Sequence, residues 1–270
     1  MNLTREALSN LVRDNFIYKN TYLAERTDSM DVQVTAGYVR VDSGLRSDTF
    51  NVIVPLEKEL KALDGVHIAN ALHYLTGQNK PMALWTWEDR NGSTCETLQD
   101  LGLIAAETNI AMAAKLAEMD MSAGMPEHFQ IREVRSKEDI KLFGDVLASL
   151  FGESEEAVNV RGYYNVTSEL LLESDSAMQL YIGCVGLDAV ATGTLVIADN
   201  SVGIYDIATR EEYRGKGYGS AMFSYLVEAA KGKAPEYCVL QASADGINIY
   251  KRAGFEEVCE VTVYEKIMKF

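Results

Sequence analysis

Apolar residues alternate with polar ones from Phe129 to Val134, the two-residue period of a half-buried strand, and the period returns over 258–264. Between these stretches, Ser136 precedes a run with apolar positions through Leu142 and Val146 to Leu150, which predicts a capped helix. A second helix is predicted over 154–173. Two strands, 178–184 and 189–197, are predicted to be joined by a turn at Gly186-Leu187-Asp188. A further strand over 203–209 leads through a glycine-rich loop to a helix over 220–230, whose Met222, Phe223, Leu226, Val227 and Ala230 share one face. The short apolar run 237–241 suits a buried central strand. Strand, helix and strand then make a βαβ unit, expected to be parallel.

The first half of the chain gives strands over 34–41 and 50–54, a helix through Ile68, Leu72 and Leu75, and a strand over 82–87. A short helix follows, then Leu101-Gly102-Leu103 and an apolar stretch through Ile110, Met112 and Leu116. Punctuation by Gly, Pro and Ser over 121–127 marks a boundary, giving domains at 1–124 and 127–270. Both read as α/β, with a central mixed sheet flanked by helices.

The chemistry concentrates in Arg214-Gly215-Lys216-Gly217-Tyr218-Gly219-Ser220. Glycine lets backbone approach a ligand closely, and the first turn of a helix carries N–H groups without intrahelical partners. With the positive end of the helix dipole, such a turn cradles phosphate. The P-loop pattern is absent, and a dinucleotide fingerprint started at Gly217 and Gly219 meets Met222 where its third glycine should be.

Arg214, Gly217 and Gly219 fall where the acyl-CoA loop of the GNAT superfamily of N-acetyltransferases has Arg or Gln, Gly, and Gly or Ala. One strand later, Asn248, Tyr250 and Gly254-Phe255 resemble that family's second cofactor element. The likeness spans roughly 127–270. It implies acetyl-CoA as acyl donor, no metal, and direct transfer to a primary amine on a small molecule or a protein. The pyrophosphate would lie on the N–H groups of Gly215 to Ser220, with Arg214 and Lys216 adding charge. Ile207, Ala208 and Thr209 would run beside the pantetheine arm and offer backbone groups to the thioester carbonyl. Asn248 would meet the pantetheine or phosphate region, and Tyr250 would protonate the departing thiolate. A phenol suits that role because its pKa, about 10, lies near that of a thiol. Asp206 is the candidate base, beside Glu211, Glu212 and the terminal carboxylate of Phe270. Tyr163 and Tyr164 are candidates for an acceptor pocket, one expected to face inward and the other outward. The rival implied function is a CoA-binding module that senses or scaffolds without catalysis.

The first half resembles the degenerate N-terminal copy of tandem GNAT proteins. Superposing Gly102 on Gly254 sets Leu103 against Phe255 and Leu98 where Tyr250 stands, while Glu57-Lys58-Glu59-Leu60-Lys61 replaces the glycine loop. The apolar faces of such halves suit packing on each other or a homodimer.

Charge and composition narrow the partners. The net charge is −15, from 25 basic against 40 acidic residues, and no basic cluster forms, which excludes nucleic acid as an expected partner. No apolar run approaches the ~20 residues of a membrane span, and residues 1–6 lack a signal core, so no membrane partner is expected. Cys95, Cys184, Cys238 and Cys259 match no zinc or redox spacing, consistent with a reduced, cytoplasmic protein. His67 and His73 lie about 240° apart on an ideal helix and make no metal pair. Trp85 and Trp87 share one side of a strand and are expected to pack in a core.

Overall fold

The computed structural model describes residues 3–56, 62–87, 92–119, 124–173, 176–233, 235–243 and 246–266, with backbone alone at 62–65 and 92–95. The segment 57–61, residues 121–123 of the 121–127 punctuation, the Cys95 side chain and Phe270 lie outside the described residues. The chain forms two compact units. One comprises Met1–Ala111, Gln241–Asp245 and Glu257–Phe270; the other comprises Met112–Leu240 and Gly246–Glu256.

The first unit opens with helix α1 (Arg5–Ala24), started by Thr4, whose hydroxyl accepts from Ala7 N at 3.2 Å. Strands β1 (Asp31–Val34) and β2 (Tyr38–Asp42) form an antiparallel hairpin. The single strand expected over 34–41 is therefore two. Thr35 breaks it: its hydroxyl accepts from the backbone N–H of Gly37 at 3.2 Å and Tyr38 at 3.0 Å, and folds the chain back. Strand β3 (Val52–Pro55) lies antiparallel to β2. It runs parallel to β4 (Ala83–Trp87) for two pairs, Val52↔Ala83 and Ile53↔Leu84.

Helix α2 (Ala62–Thr76) buries Ile68, Leu72 and Leu75 with Ile53, Leu84 and Leu98, the last from α3 (Gly92–Asp100). Each such side chain is worth about 1.5–3 kcal/mol when fully buried. Phe16 packs 4.7 Å from Trp85 and 5.0 Å from Trp87, so the tryptophans do sit on one side of β4 in this core. Strand β5 (Leu103–Lys115) begins here, and β11 (Glu256–Lys266) pairs antiparallel with β4 from Val261↔Trp87 to Glu265↔Ala83. The strand order is β1-β2-β3-β4-β11-β5.

In the second unit the order is β5-β10-β9-β8-β7-β6. It contains β6 (Phe129–Glu133), β7 (Met178–Val185), β8 (Asp188–Ile197), β9 (Ser201–Thr209) and β10 (Tyr237–Ala242). Helix α4 (Lys137–Ala148) is capped by Ser136 and α5 (Glu155–Val166) by Ser154. The helix expected over 154–173 ends at Val166, and α6 (Ser168–Leu171) follows as a separate turn. At the break the Thr167 hydroxyl donates to the Tyr163 carbonyl at 2.8 Å, a side-chain bond that competes with the helical ladder. Helix α7 (Tyr218–Lys231) buries Met222, Phe223, Leu226, Val227 and Ala230, as its spacing predicts. A short helix, α8 (Ile247–Arg252), precedes β11.

Strands β9 and β10 are parallel, as the βαβ reading requires, paired from Tyr237↔Ser201 to Val239↔Gly203. Against β8, β9 carries a bulge. Thr192 faces Ala208 and Thr194 faces Tyr205, so Asp206 and Ile207 together oppose Gly193. A Cβ on Gly193 would lie 2.5 Å from Leu226 Cδ1 and 3.1 Å from Met222 Cγ, both on fully buried side chains of α7. Gly193→Ala is expected to destabilise the fold by about 1–3 kcal/mol through overpacking. A lower urea midpoint at unchanged slope checks this.

Candidate acyl-donor site and reaction centre

Beyond β9 the chain makes a single 3-10 turn, Glu211–Tyr213, and enters the glycine loop. Gly215 (φ +74°) and Gly217 (φ +84°) take left-handed conformations that L side chains rarely adopt. Gly217 is the N-cap of α7 and accepts from Ala221 N at 3.0 Å. Among the described residues, the backbone N–H groups from Gly215 to Ser220 meet no acceptor. Successive unpaired N–H groups around left-handed glycines, at the positive end of a helix, make an anion cradle.

The loop is braced from below. Arg214 Nε donates to the Thr209 carbonyl at 3.2 Å, and Lys216 Nζ donates to the Glu212 carbonyl at 3.0 Å while lying 5.0 Å from the Tyr213 ring centroid. Both cations are thus held beside the cradle. The Tyr218 ring packs on Phe129 at 4.7 Å, leaving its main chain as the part that faces the loop's chemistry. A Cβ on Gly219 would stand 3.3 Å from Thr209 Oγ1, so the start of α7 closes tightly on the end of β9.

The ladder between β9 and β10 ends at Val239↔Gly203, although β9 runs on to Thr209 and β10 to Ala242. Ile207, Ala208 and Thr209 lie on this parted length of β9, and on its other side Ala208 and Thr209 remain paired with Thr192 and Ala191. Asp206 sits at the bulge with φ +53°, an uncommon conformation for a residue other than glycine. Its carboxylate Oδ2 accepts from Thr194 Oγ1 at 2.9 Å and lies 3.5 Å from the Tyr164 hydroxyl. Its carbonyl accepts from Thr192 Oγ1 at 2.8 Å.

Tyr163 and Tyr164 are both buried, which corrects the expectation that one would face outward. They join Ala157 and Val160 on the buried face of α5, an i, i+3, i+6, i+7 stripe legible in the sequence. Burial, and secondarily the charge of Asp206, pushes both phenols well above their ordinary range, so both are neutral. Tyr164 also lines a cavity of ≈ 500 Å³ with Ile140, Gly144 and Asn165. Nothing local in the sequence marks the buried Thr192 and Thr194 as partners of the Asp206 carbonyl 14 residues on and its carboxylate 12 residues on.

Tyr250 rests edge-on against Phe223 of α7, ring centroids 5.0 Å apart, and against Phe255 at 6.2 Å. Burial raises its phenol above the usual value. Asn248 is exposed on α8, and its side chain forms no hydrogen bond among the described residues. The structure thus gathers the loop, Thr209 and Gly219 at one place and Asp206 with two threonines and a tyrosine at another. Tyr250 is tied through Phe223 to the helix that carries the loop. Glu211 and Glu212 are exposed. Among the described residues no group of three or more His, Cys, Asp or Glu could hold a metal, and no helix is long and apolar enough to cross a membrane.

Residues 169–257 match the family description "Acetyltransferase (GNAT) domain". This stretch, which includes the loop, Asp206, Asn248 and Tyr250, resembles a GNAT acetyltransferase domain, and the likeness supports an acyltransferase. A curated relative, the uncharacterized N-acetyltransferase YobR of Bacillus subtilis (strain 168), is 33% identical over 73 residues, 26% of this chain and 30% of its own length. The match therefore spans under a third of that relative. Solved structures share the fold across nearly the whole chain. A GCN5-related N-acetyltransferase from Kribbella flavida gives a TM-score of 0.64 at 14% identity, over 94% of this chain and 96% of its own. A tandem GNAT protein from the clavulanic acid biosynthesis pathway gives 0.58 at 9% identity, over 91% and 86%. At such identities the likeness is one of fold, a mixed sheet flanked by helices.

Proposed function

We propose that the protein transfers an acetyl group from acetyl-CoA to a primary amine, and that Arg214 to Ser220 hold the donor. The observation that carries this reading is the row of unpaired N–H groups at the start of α7, set against the end of a strand that has parted from its neighbour. The cradle fits a pyrophosphate, and Arg214 and Lys216 add positive charge beside it. The parted edge of β9 at Ile207, Ala208 and Thr209 supplies backbone groups to the pantetheine arm and a hydrogen-bond donor for the carbonyl oxygen as charge develops there. Asn248, exposed beside the same region of sequence as Tyr250, adds a side-chain amide.

Acetyl-CoA supplies the thioester, whose C–S bond breaks as the N–C bond forms. Asp206 takes one proton from the acceptor's ammonium, which frees the nitrogen lone pair. Tyr250 gives its hydroxyl proton to the departing sulfur and is reprotonated from solvent. The second proton lost by nitrogen and the one held by Asp206 both leave to water, so with Tyr250 reprotonated the cycle closes and releases one net proton.

The first half, 1–124, is in this reading a degenerate copy of the 127–270 half. Two observations support it. Gly102 (φ +77°) and Gly254 (φ +95°) both turn left-handed just before a buried apolar residue, Leu103 and Phe255. The parallel β3–β4 ladder, like β9–β10, ends early, after Ile53↔Leu84.

The test pairs calorimetric titration with acetyl-CoA and thiol release in the presence of a panel of primary amines. Saturable binding and turnover of at least one amine are expected. Asp206→Asn should keep donor affinity and lower turnover by about 10²- to 10⁴-fold, the usual worth of a general base. A folded protein that does not bind acetyl-CoA would overturn the reading.

A further inference from the structure

The Asp206 bulge is built more fully than a base alone requires. Thr192 and Thr194 are two apart on β8, so their side chains share one face of the sheet, while Gly193 between them faces α7. Both threonines are fully buried, and both hydroxyls are spent on one residue. Thr192 grips the main-chain carbonyl of Asp206 at 2.8 Å and Thr194 its carboxylate at 2.9 Å. A backbone held at φ +53° costs energy unless its surroundings fix it, and here two hydroxyls do so. With both the main chain and one carboxylate oxygen held, rotation of the side chain is fixed as well.

We propose that Thr192 and Thr194 are positioning residues for acyl transfer, clamping Asp206 so that its carboxylate stands where the acceptor's ammonium delivers its proton. The inference rests on the reading of Asp206 as proton acceptor. Among the described residues, Tyr163 and Tyr164 of α5 are set against this carboxylate as buried phenols that stay neutral, and β8 contributes the two hydroxyls. Tyr164 at 3.5 Å is a looser third donor, backed by Phe143 of α4 at 5.0 Å between ring centroids.

Thr194→Val removes the carboxylate's donor with little change of volume, and Thr194→Ser restores it. With the best amine from the panel, Thr194→Val should lose roughly tenfold in kcat, a part of what a positioned general base contributes. The affinity for acetyl-CoA should not change. The loss should fall on kcat of the folded protein, with the KM for the amine near wild type, a split that a loss of folded protein alone would not produce. Thr194→Ser should return kcat toward wild type. If Thr194→Val does not fold, Tyr164→Phe removes the other hydroxyl donor to the carboxylate, keeps the ring, and should lower kcat by a smaller factor.

Wild-type kcat in these variants, with Asp206→Asn still inactive, would sink the clamp and leave the base standing. Full activity in Asp206→Asn, or no turnover of any amine, would remove the base and the clamp together. A loss of stability with kcat of the folded protein unchanged would make the threonines structural and overturn the proposal.

Discussion

Gly217→Glu is expected to lower acetyl-CoA affinity by on the order of 100-fold while leaving the protein folded. Gly217 is exposed, and a Cβ there would come no nearer than 3.7 Å to Pro126 Cγ, so the fold has room for a side chain. Two penalties act on binding instead. At φ +84° an L residue is strained by about 1–2 kcal/mol, which favours a shift of the turn that aims the N–H groups. The new carboxylate also stands beside the pyrophosphate it must admit. Together these reach about 3 kcal/mol, and each 1.4 kcal/mol is tenfold in Kd. Gly217→Ala carries the strain without the charge and should lose about tenfold. Titration calorimetry of both variants, with circular dichroism to confirm folding, separates the terms. Wild-type affinity in Gly217→Glu would place the donor somewhere other than this loop.

Tyr250→Phe should remove a proton donor and little else. The ring keeps its contacts with Phe223 and Phe255, so stability and acetyl-CoA affinity should stay near wild type. Turnover should fall by about 10²- to 10⁴-fold, the range for loss of a general acid. Burial raises the Tyr250 phenol above its ordinary value. The acid must be protonated to act, so wild-type activity should decline only as pH rises past that raised value, above about 10. In Tyr250→Phe the decline should vanish with the hydroxyl. Unchanged turnover would take Tyr250 out of the mechanism.

The loop and its helix were readable in the sequence because their determinants are local. Gly215 and Gly217 hold positive φ, and Met222 through Ala230 repeat at helical spacing, so a few adjacent residues specify the turn and the buried face. Local chemistry also misled. Thr35 folds a seemingly continuous strand into a hairpin, and Thr167 ends a helix that periodicity extends to 173. Helix α1 escaped notice because its buried positions mix Val12, Phe16 and Leu23 with Ser9, Asn15 and Thr21, which blurs the apolar stripe.

The sequence by itself determined a glycine-rich turn between a strand and a helix, and a second element bearing Asn248 and Tyr250. Steric freedom of glycine and the periodicity of burial act over a handful of residues. Tertiary structure alone decided that β9 leaves β10 after Gly203, that β11 pairs with β4, and that Asp206 is gripped by Thr192, Thr194 and Tyr164. Those outcomes depend on strand order and on side chains as far as 42 residues apart in the chain. Pairings at that separation are chosen by the packing of the whole unit, and no window along the sequence contains both partners.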